Sequence, residues 1–537
     1  MKFNFSMKKS ITTLLVAALF ILPACGNTNT ASQPSASSKK AVNIGITFSP
    51  STLNPLSPVG LASSYVTGLM FLPLVDIDED LTYKPMLADS IETTDNTTFT
   101  IKLNEKAKWT DGTPVTSDDV IFTLKLMANP KVASVYAYTF GILEGLDDSG
   151  YLQEGKTDIS GVKKVDEHTL ELKTKAPTTL NIFKDTIGRY LLTVPQAALK
   201  DIAPENINKS EFMQKPTVTN GPFKLVEYNR DHFVQMDANK DYFKGAPKLE
   251  QLNFKVLQGT AISTQLQSGE IDMNIPSVGV IPIEDYEKVK GMEGISTVDG
   301  PAIASQFMYI NEKSVPDAKQ RQAISYALNR ELIVNKLLKG NGEVVDGFFT
   351  SYSPYVDTNV KPVAFDPEKA KSLLQESGWD TGKTLNLSVL SGDSTLENAA
   401  NIMAENLKSV GINVKIQMAD LATLIDKLVK MEYDLGILTV SLTPINPLPD
   451  VAYFLQEGNP NGYHNVEIDK LITLLKSETD EAKIKGYYSE LQKIVAQDVP
   501  MPSIYSTKAL GAINNRVTVA KPKDFGMFIN VNEWDVK

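Results

Sequence analysis

The side chains able to do chemistry in this 537-residue chain are few in kind: three histidines, one cysteine and 64 acids. His168, His232 and His464 lie far apart, none within helical spacing of another, and each sits in a polar stretch, so surface positions are expected. The chain contains no G-x-S-x-G or H-E-x-x-H pattern. Gly340-Asn341-Gly342 with Gly347 approaches a glycine-rich phosphate loop, but it follows a helical pattern, and glycines that end a helix explain it better. Asp76-Ile77-Asp78-Glu79-Asp80 opens like a calcium loop, yet position six is Leu81 where glycine is needed and position twelve is Leu87 where glutamate is needed. A solvated turn between strands is the expectation there. With so many acids, carboxylate pairs by themselves mark nothing. No catalytic constellation emerges, so the chain is expected to be a non-enzyme, with no metal and no cofactor.

The lone cysteine has a different context. Lys2, Lys8 and Lys9 precede an apolar run from Ile11 to Leu22, and Leu22-Pro23-Ala24-Cys25 closes it with small residues. That order of charge, apolar stretch and small-residue site reads as a secretory signal over residues 1–24. A membrane span needs about 20 apolar residues; Ile11–Ala24 supplies 14. Leu-Pro-Ala-Cys resembles the lipobox of bacterial lipoproteins, which implies acylation of Cys25 and an outer-face membrane anchor. Residues 26–41, rich in Ser, Asn, Thr and Ala, read as a flexible tether. Without residues 1–24 the formal charge moves from −11 to −14. So acidic a chain is a poor nucleic-acid binder, which needs a basic face.

Strands and helices mix throughout the remaining length, which is more than one core usually organises. Thr98–Asn104 alternates with Phe99, Ile101 and Leu103 on one side, and His168–Lys175 does likewise through Leu170 and Leu172. Between them Thr116-Ser117-Asp118-Asp119 opens a helix through Leu126, ended by Pro130. Helix starts follow at Pro316-Asp317, Asn329 and Asp366-Pro367-Glu368, with Gly378 past the last end. Ser394 and Glu397 form a capping box for a helix ending at Gly411, and Ile412–Met418 then alternates as a strand. Helix running directly into strand is the pattern of α/β lobes.

Longer segments occur in a fixed order. They are Leu53-Asn54-Pro55-Leu56, "LVDIDEDLTYKPMLADS" from Leu74, "TFTIKLNEKAKWTDGTPVTSDDVIFTLKLM" from Thr98, "TNGPFKLVEYN" from Thr219, "LQSGEIDM" from Leu266, "YINEKSVPDAKQRQAISYALNRELIV" from Tyr309 and "YDLGILTV" from Tyr433. The series resembles the family 5 extracellular solute-binding proteins, the oligopeptide, dipeptide and nickel receptors of ABC importers. The resemblance covers residues 43–537 and is carried best by Trp109-Thr110-Asp111-Gly112-Thr113-Pro114 and Asn220-Gly221-Pro222-Phe223. Both blocks read as turns that build the scaffold, with no ligand contact assigned to them.

The resemblance implies an α/β, two-lobe, hinge-closing fold of the periplasmic-binding-protein type (class II). Lobe I would comprise 42–80, 215–305 and 508–537, with an extra subdomain at 81–214, and lobe II 306–507. It also implies a monomer that captures an oligopeptide between the lobes and hands it to the permease subunits of an ABC importer. Chelated nickel, haem, a sugar oligomer or a signalling peptide on the same scaffold is the alternative. Matching segments put Val59, Gly60, Leu61, Tyr136, Val440, Ser441, Leu442, Thr443 and Tyr505 at the ligand. The acid that pairs with a peptide's α-amine in oligopeptide receptors falls on Thr443, and a second such position on Asn446; Asp450 is the nearest carboxylate. A weak dependence on a free peptide N-terminus is therefore expected.

Overall fold

The computed structural model describes residues 39–346, 348–441 and 443–537. The signal segment, Cys25, the tether up to residue 38, Gly347 and Leu442 lie outside the described residues.

The organising element is one sheet of eleven strands. From one edge the order is Asn413–Ala419, Thr384–Leu390, Leu435–Ser441, Ile295–Ile310, Ser503–Asn514, Met273–Asn274, Ala41–Ile46, Gln251–Val256, Phe233–Ala238 and Phe223–Asn229. A short strand, Gly342–Glu343, pairs off this path with Ser503–Asn514. Ile295–Ile310 and Ser503–Asn514 are much the longest and run antiparallel through the centre. Their register slips three times, between Asp299 and Ala302, between Ala302 and Ala304, and between Gln306 and Phe307. Such bulges interrupt the ladder and increase local twist. Before the first slip the pair joins the sheet half that contains Ala41–Ile46; from Ala304 onward it joins the half that contains Leu435–Ser441. Two lobes are thereby connected through two backbone segments.

The cores follow the same division. One large core runs from Val42 through Phe99, Phe183 and Phe254 to Trp534. Two others, around Leu387 and around Phe307 and Tyr488, draw on residues between Phe307 and Tyr505. A four-stranded sheet, Ala88–Thr93, Thr98–Leu103, Thr169–Lys173 and Val162–Lys164, packs into the first core. Phe99, Ile101 and Leu103 are buried there, as their alternation requires. The two ends of the described body meet. Lys40 Nζ pairs with Asp535 at 2.8 Å, and the Arg516 guanidinium grips the buried Asp272 at 2.6 and 2.7 Å while donating to the Ala41 carbonyl.

Helix starts match the capping pattern closely. Thr116 and Asp119 form a reciprocal capping box at Ser117–Met127, and Asp317, Asn329 and Asp366 each accept a first-turn amide. One start differs. Asp393, not Ser394, caps the helix Ser394–Ser409 by accepting from the Leu396 amide, while Glu397 reaches back to the Gly392 amide. The acid one residue earlier reaches the first turn and takes the cap from Ser394. Trp109 donates to Asp119, and Asn220 accepts from the Leu72 amide, so both family blocks do tie segments together. Gly221 is required by space: a Cβ there would stand 2.2 Å from the Leu69 carbonyl oxygen.

Candidate functional site

Two cavities adjoin on the inner face of the first lobe. The larger, about 550 Å³, opens beneath the loop Pro58–Leu61. Gly60 holds φ +82°, a conformation that costs glycine little, and the helix Leu61–Met70 starts directly after it. This turn leaves Val59 and Leu61 each 56% exposed at the cavity rim. Aromatic rings form much of the wall. Tyr136 packs on Tyr190 with ring centres 4.6 Å apart and shares a 3.1 Å hydrogen bond with Ser64, while Tyr65 meets Phe528 edge to face.

The charged group of this wall comes from a widened helical turn. After Leu180–Phe183 the backbone adopts a π turn over Lys184–Gly188. Asp185 and Arg189 emerge four residues apart on one face, 2.9 Å from each other. Asp76 approaches the same guanidinium at 3.7 Å, and the Tyr190 ring lies 5.6 Å from it. Burial raises the Asp76 carboxyl above its ordinary range, with Arg189 opposing, and pushes the Tyr190 phenol up to about 12. The acidic run from Asp76 to Asp80 is not simply a solvated turn. Asp78 pairs with Lys523 and Asp80 with Lys84, so its three aspartates point to three different cations and converge on no common centre.

The second cavity, about 260 Å³, has walls from both lobes. Tyr138, Asp185 and Tyr190 face Thr443, Asn446 and Asp450 across it. Asp450 lies in the first turn of the helix Leu448–Leu455. Burial pushes its carboxyl up to about 6; a backbone hydrogen bond from Thr443 opposes the shift and Asp185 across the gap reinforces it. Nearer the hinge the lobes touch directly. The Tyr352 hydroxyl donates to the Glu79 carbonyl at 2.6 Å, and its ring stacks on Phe525 at 6.0 Å.

Of the residues expected at the ligand, Val59, Gly60, Leu61 and Tyr136 line the first cavity, and Thr443, Asn446 and Asp450 line the second. Ser441 ends the strand paired with Ile295–Ile310, opposite Ala304. Val440 packs into the core around Phe307. Tyr505 reaches neither cavity: it is 2% exposed inside the second lobe, because its strand is covered on both faces. Tyr65, Tyr138, Asp185, Arg189, Tyr190 and Asp524 were not foreseen. Only Arg189 carries a sequence signal, a lone cation in the run Ile187–Val194. His464 is exposed, as its polar stretch requires. It joins Glu457 and Asp469 in a surface group whose ligand atoms lie within 4.8 Å of one another, and this group lines neither cavity.

The sequence profile of the bacterial extracellular solute-binding proteins, family 5 (middle), matches residues 82–462. Among curated relatives, the oligopeptide-binding protein AppA of Bacillus subtilis is 27% identical over 524 residues, covering 92% of each chain. The periplasmic oligopeptide-binding protein OppA of Salmonella typhimurium is 26% identical, covering 84% of each. Among solved structures, AppA in complex with a nonapeptide superposes with a TM-score of 0.75, over 93% of this chain and 99% of that one. The substrate-binding protein CtaP of Listeria monocytogenes gives 0.80 at 25% identity, with the same coverage.

Proposed function

The chain belongs to the family 5 bacterial extracellular solute-binding proteins, and from that premise we propose that it captures oligopeptides between its two lobes and delivers them to an ABC importer. The observation that carries this reading is the cavity walled by both lobes, with Thr443, Asn446 and Asp450 on one side and Tyr138, Asp185 and Tyr190 on the other. A ligand held there is enclosed when the lobes close. The strand Leu435–Ser441 supports a main-chain mode of binding. Leu387 and Ser388 pair only with Leu435 and Gly436, so Ile437–Ser441 has no second strand partner among the described residues. An extended peptide satisfies such an edge by strand addition, whatever its side chains.

In this reading lobe I comprises 42–80, 215–305 and 508–537, the subdomain 81–214, and lobe II 306–507. Val59, Gly60, Leu61, Tyr136, Thr443, Asn446 and Asp450 contact the ligand, and Cys25 is the lipidated N-terminus of a monomer anchored at the outer face of the membrane. Mass spectrometry of the ligand that co-purifies with the native protein tests the class of cargo. Peptides are expected; a haem, a nickel chelate or a sugar oligomer in their place overturns the reading. Closure is tested by solution scattering, where the radius of gyration falls on adding a bound peptide and an unchanged profile counts against a hinge. Cys25→Ala is expected to release soluble protein with unchanged ligand affinity.

A further inference from the structure

Asp524 stands apart from every other acid on the cavity walls. It is 9% exposed, lines the larger cavity, and neither carboxylate oxygen has a hydrogen-bond partner of good geometry among the described residues. The Ser277 hydroxyl and amide are the donors nearest to it, and burial raises its pKa against them. The cations that could have answered it are engaged elsewhere. Lys523, its neighbour in sequence, turns to Asp78, and Arg189 across the cavity is held by Asp185 and Asp76. Its backbone, in contrast, is pinned, because the Tyr65 hydroxyl donates to the Asp524 carbonyl at 2.8 Å.

A carboxylate buried without a partner is costly, and proteins retain such groups where a ligand completes them. We propose that Asp524 is the counter-charge for a ligand ammonium buried in the first-lobe cavity, so that the preferred cargo is a peptide that places a cationic group there. The inference rests on the peptide reading above and adds the chemistry of one subsite. Two sources supply an ammonium, a lysine side chain or the peptide's α-amine, and the chemistry at Asp524 is the same for both. Apolar walls from Leu69, Met527 and Phe528 favour a group carried on a long methylene stem.

The test uses heptaalanine peptides with one residue replaced, position by position, by lysine or by norleucine, each also in N-acetylated form, with affinities from calorimetry. In the unaltered protein one position is expected to favour lysine over norleucine by about tenfold or more. In Asp524→Asn, checked for native fold by circular dichroism, that ratio falls to near one. An acetylation loss that vanishes in Asp524→Asn, without any lysine preference, assigns the α-amine as the source and upholds the inference. Lysine preference undiminished in Asp524→Asn overturns it, as does binding by the unaltered protein that is indifferent to both lysine and acetylation. Failure of every peptide to bind the unaltered protein overturns the peptide reading itself, and this inference with it.

Discussion

Each lobe pairs an arginine with an aspartate inside the fold, and the two pairs are used differently. Arg330, in the second lobe, is 2% exposed and its guanidinium donates to both oxygens of Asp346 and to the carbonyls of Val345, Val363 and Ser503. It joins a helix start to a strand and to two loop segments. Arg189, in the first lobe, makes one hydrogen bond, to Asp185, with Asp76 at 3.7 Å and a cavity before it. The same chemical pair is closed off as scaffold in one place and left open as a wall in the other. Scaffold charge is surrounded by fixed carbonyls; charge at a ligand surface keeps donors and acceptors in reserve.

Breaking the closed pair gives the largest effect. Arg330→Met strands Asp346 in the interior and is expected to lower stability by about 3–5 kcal/mol, the cost of removing one partner of a buried ion pair, read from urea unfolding. A loss below about 1 kcal/mol would place Arg330 among exposed pairs and erase the contrast. Arg189→Met is expected to cost less, about 1–3 kcal/mol, because water in the cavity relieves Asp185 and Asp76. Ligand affinity falls with it, which Arg330→Met does not bring about in whatever fraction remains folded.

Asp450 sharpens the comparison from the second lobe's side of the cleft. Its carboxyl is raised from 3.8 to about 6, so the folded protein favours the neutral acid. Its ionisation costs nothing below the unfolded value and the full amount once pH has risen through the folded one. Asp450→Asn is therefore expected to match the parent at pH 4 and to be more stable by about 1–2 kcal/mol at pH 7.5. Equal stability at both pH values would show that solvent reaches the carboxylate. The smallest effect concerns the position filled by Thr443. N-acetylating a bound peptide is expected to change its affinity by less than about tenfold. A hundredfold loss, reproduced by Asp450→Asn, would give the α-amine to Asp450 instead.

What the sequence revealed follows the range of the forces involved. Caps at Thr116, Asp317, Asn329 and Asp366 were legible because a side chain and the amides it caps lie within a few residues. The cap at Asp393 was misplaced by one residue for the same local reason, two adjacent capping residues in competition. Thr443 and Asn446 came from a matched segment and Asp450 from being the nearest carboxylate, and all three line the same cavity. Asp185, Arg189, Tyr65 and Asp524 were missed because they come from distant segments, and their burial exists only after the lobe has folded. Tyr505 shows the converse: an aromatic in an expected segment, enclosed in a core because its strand is covered on both faces.

The meeting of the two ends of the described body at Lys40 and Asp535 has a practical consequence. Residue 537 and residue 40 can be joined by a short linker and the chain reopened at an exposed turn of the second lobe such as Gly458, which has open space around its Cβ position. Circular permutation is tolerated at sites of this kind. Such a permutant keeps both crossing strands intact, yet moves the point of attachment anywhere on the surface. A label attached beside Lys40 or Asp535 reports only from the first lobe. The permutant lets the other lobe be held still, so that the same closure is seen as motion of its partner.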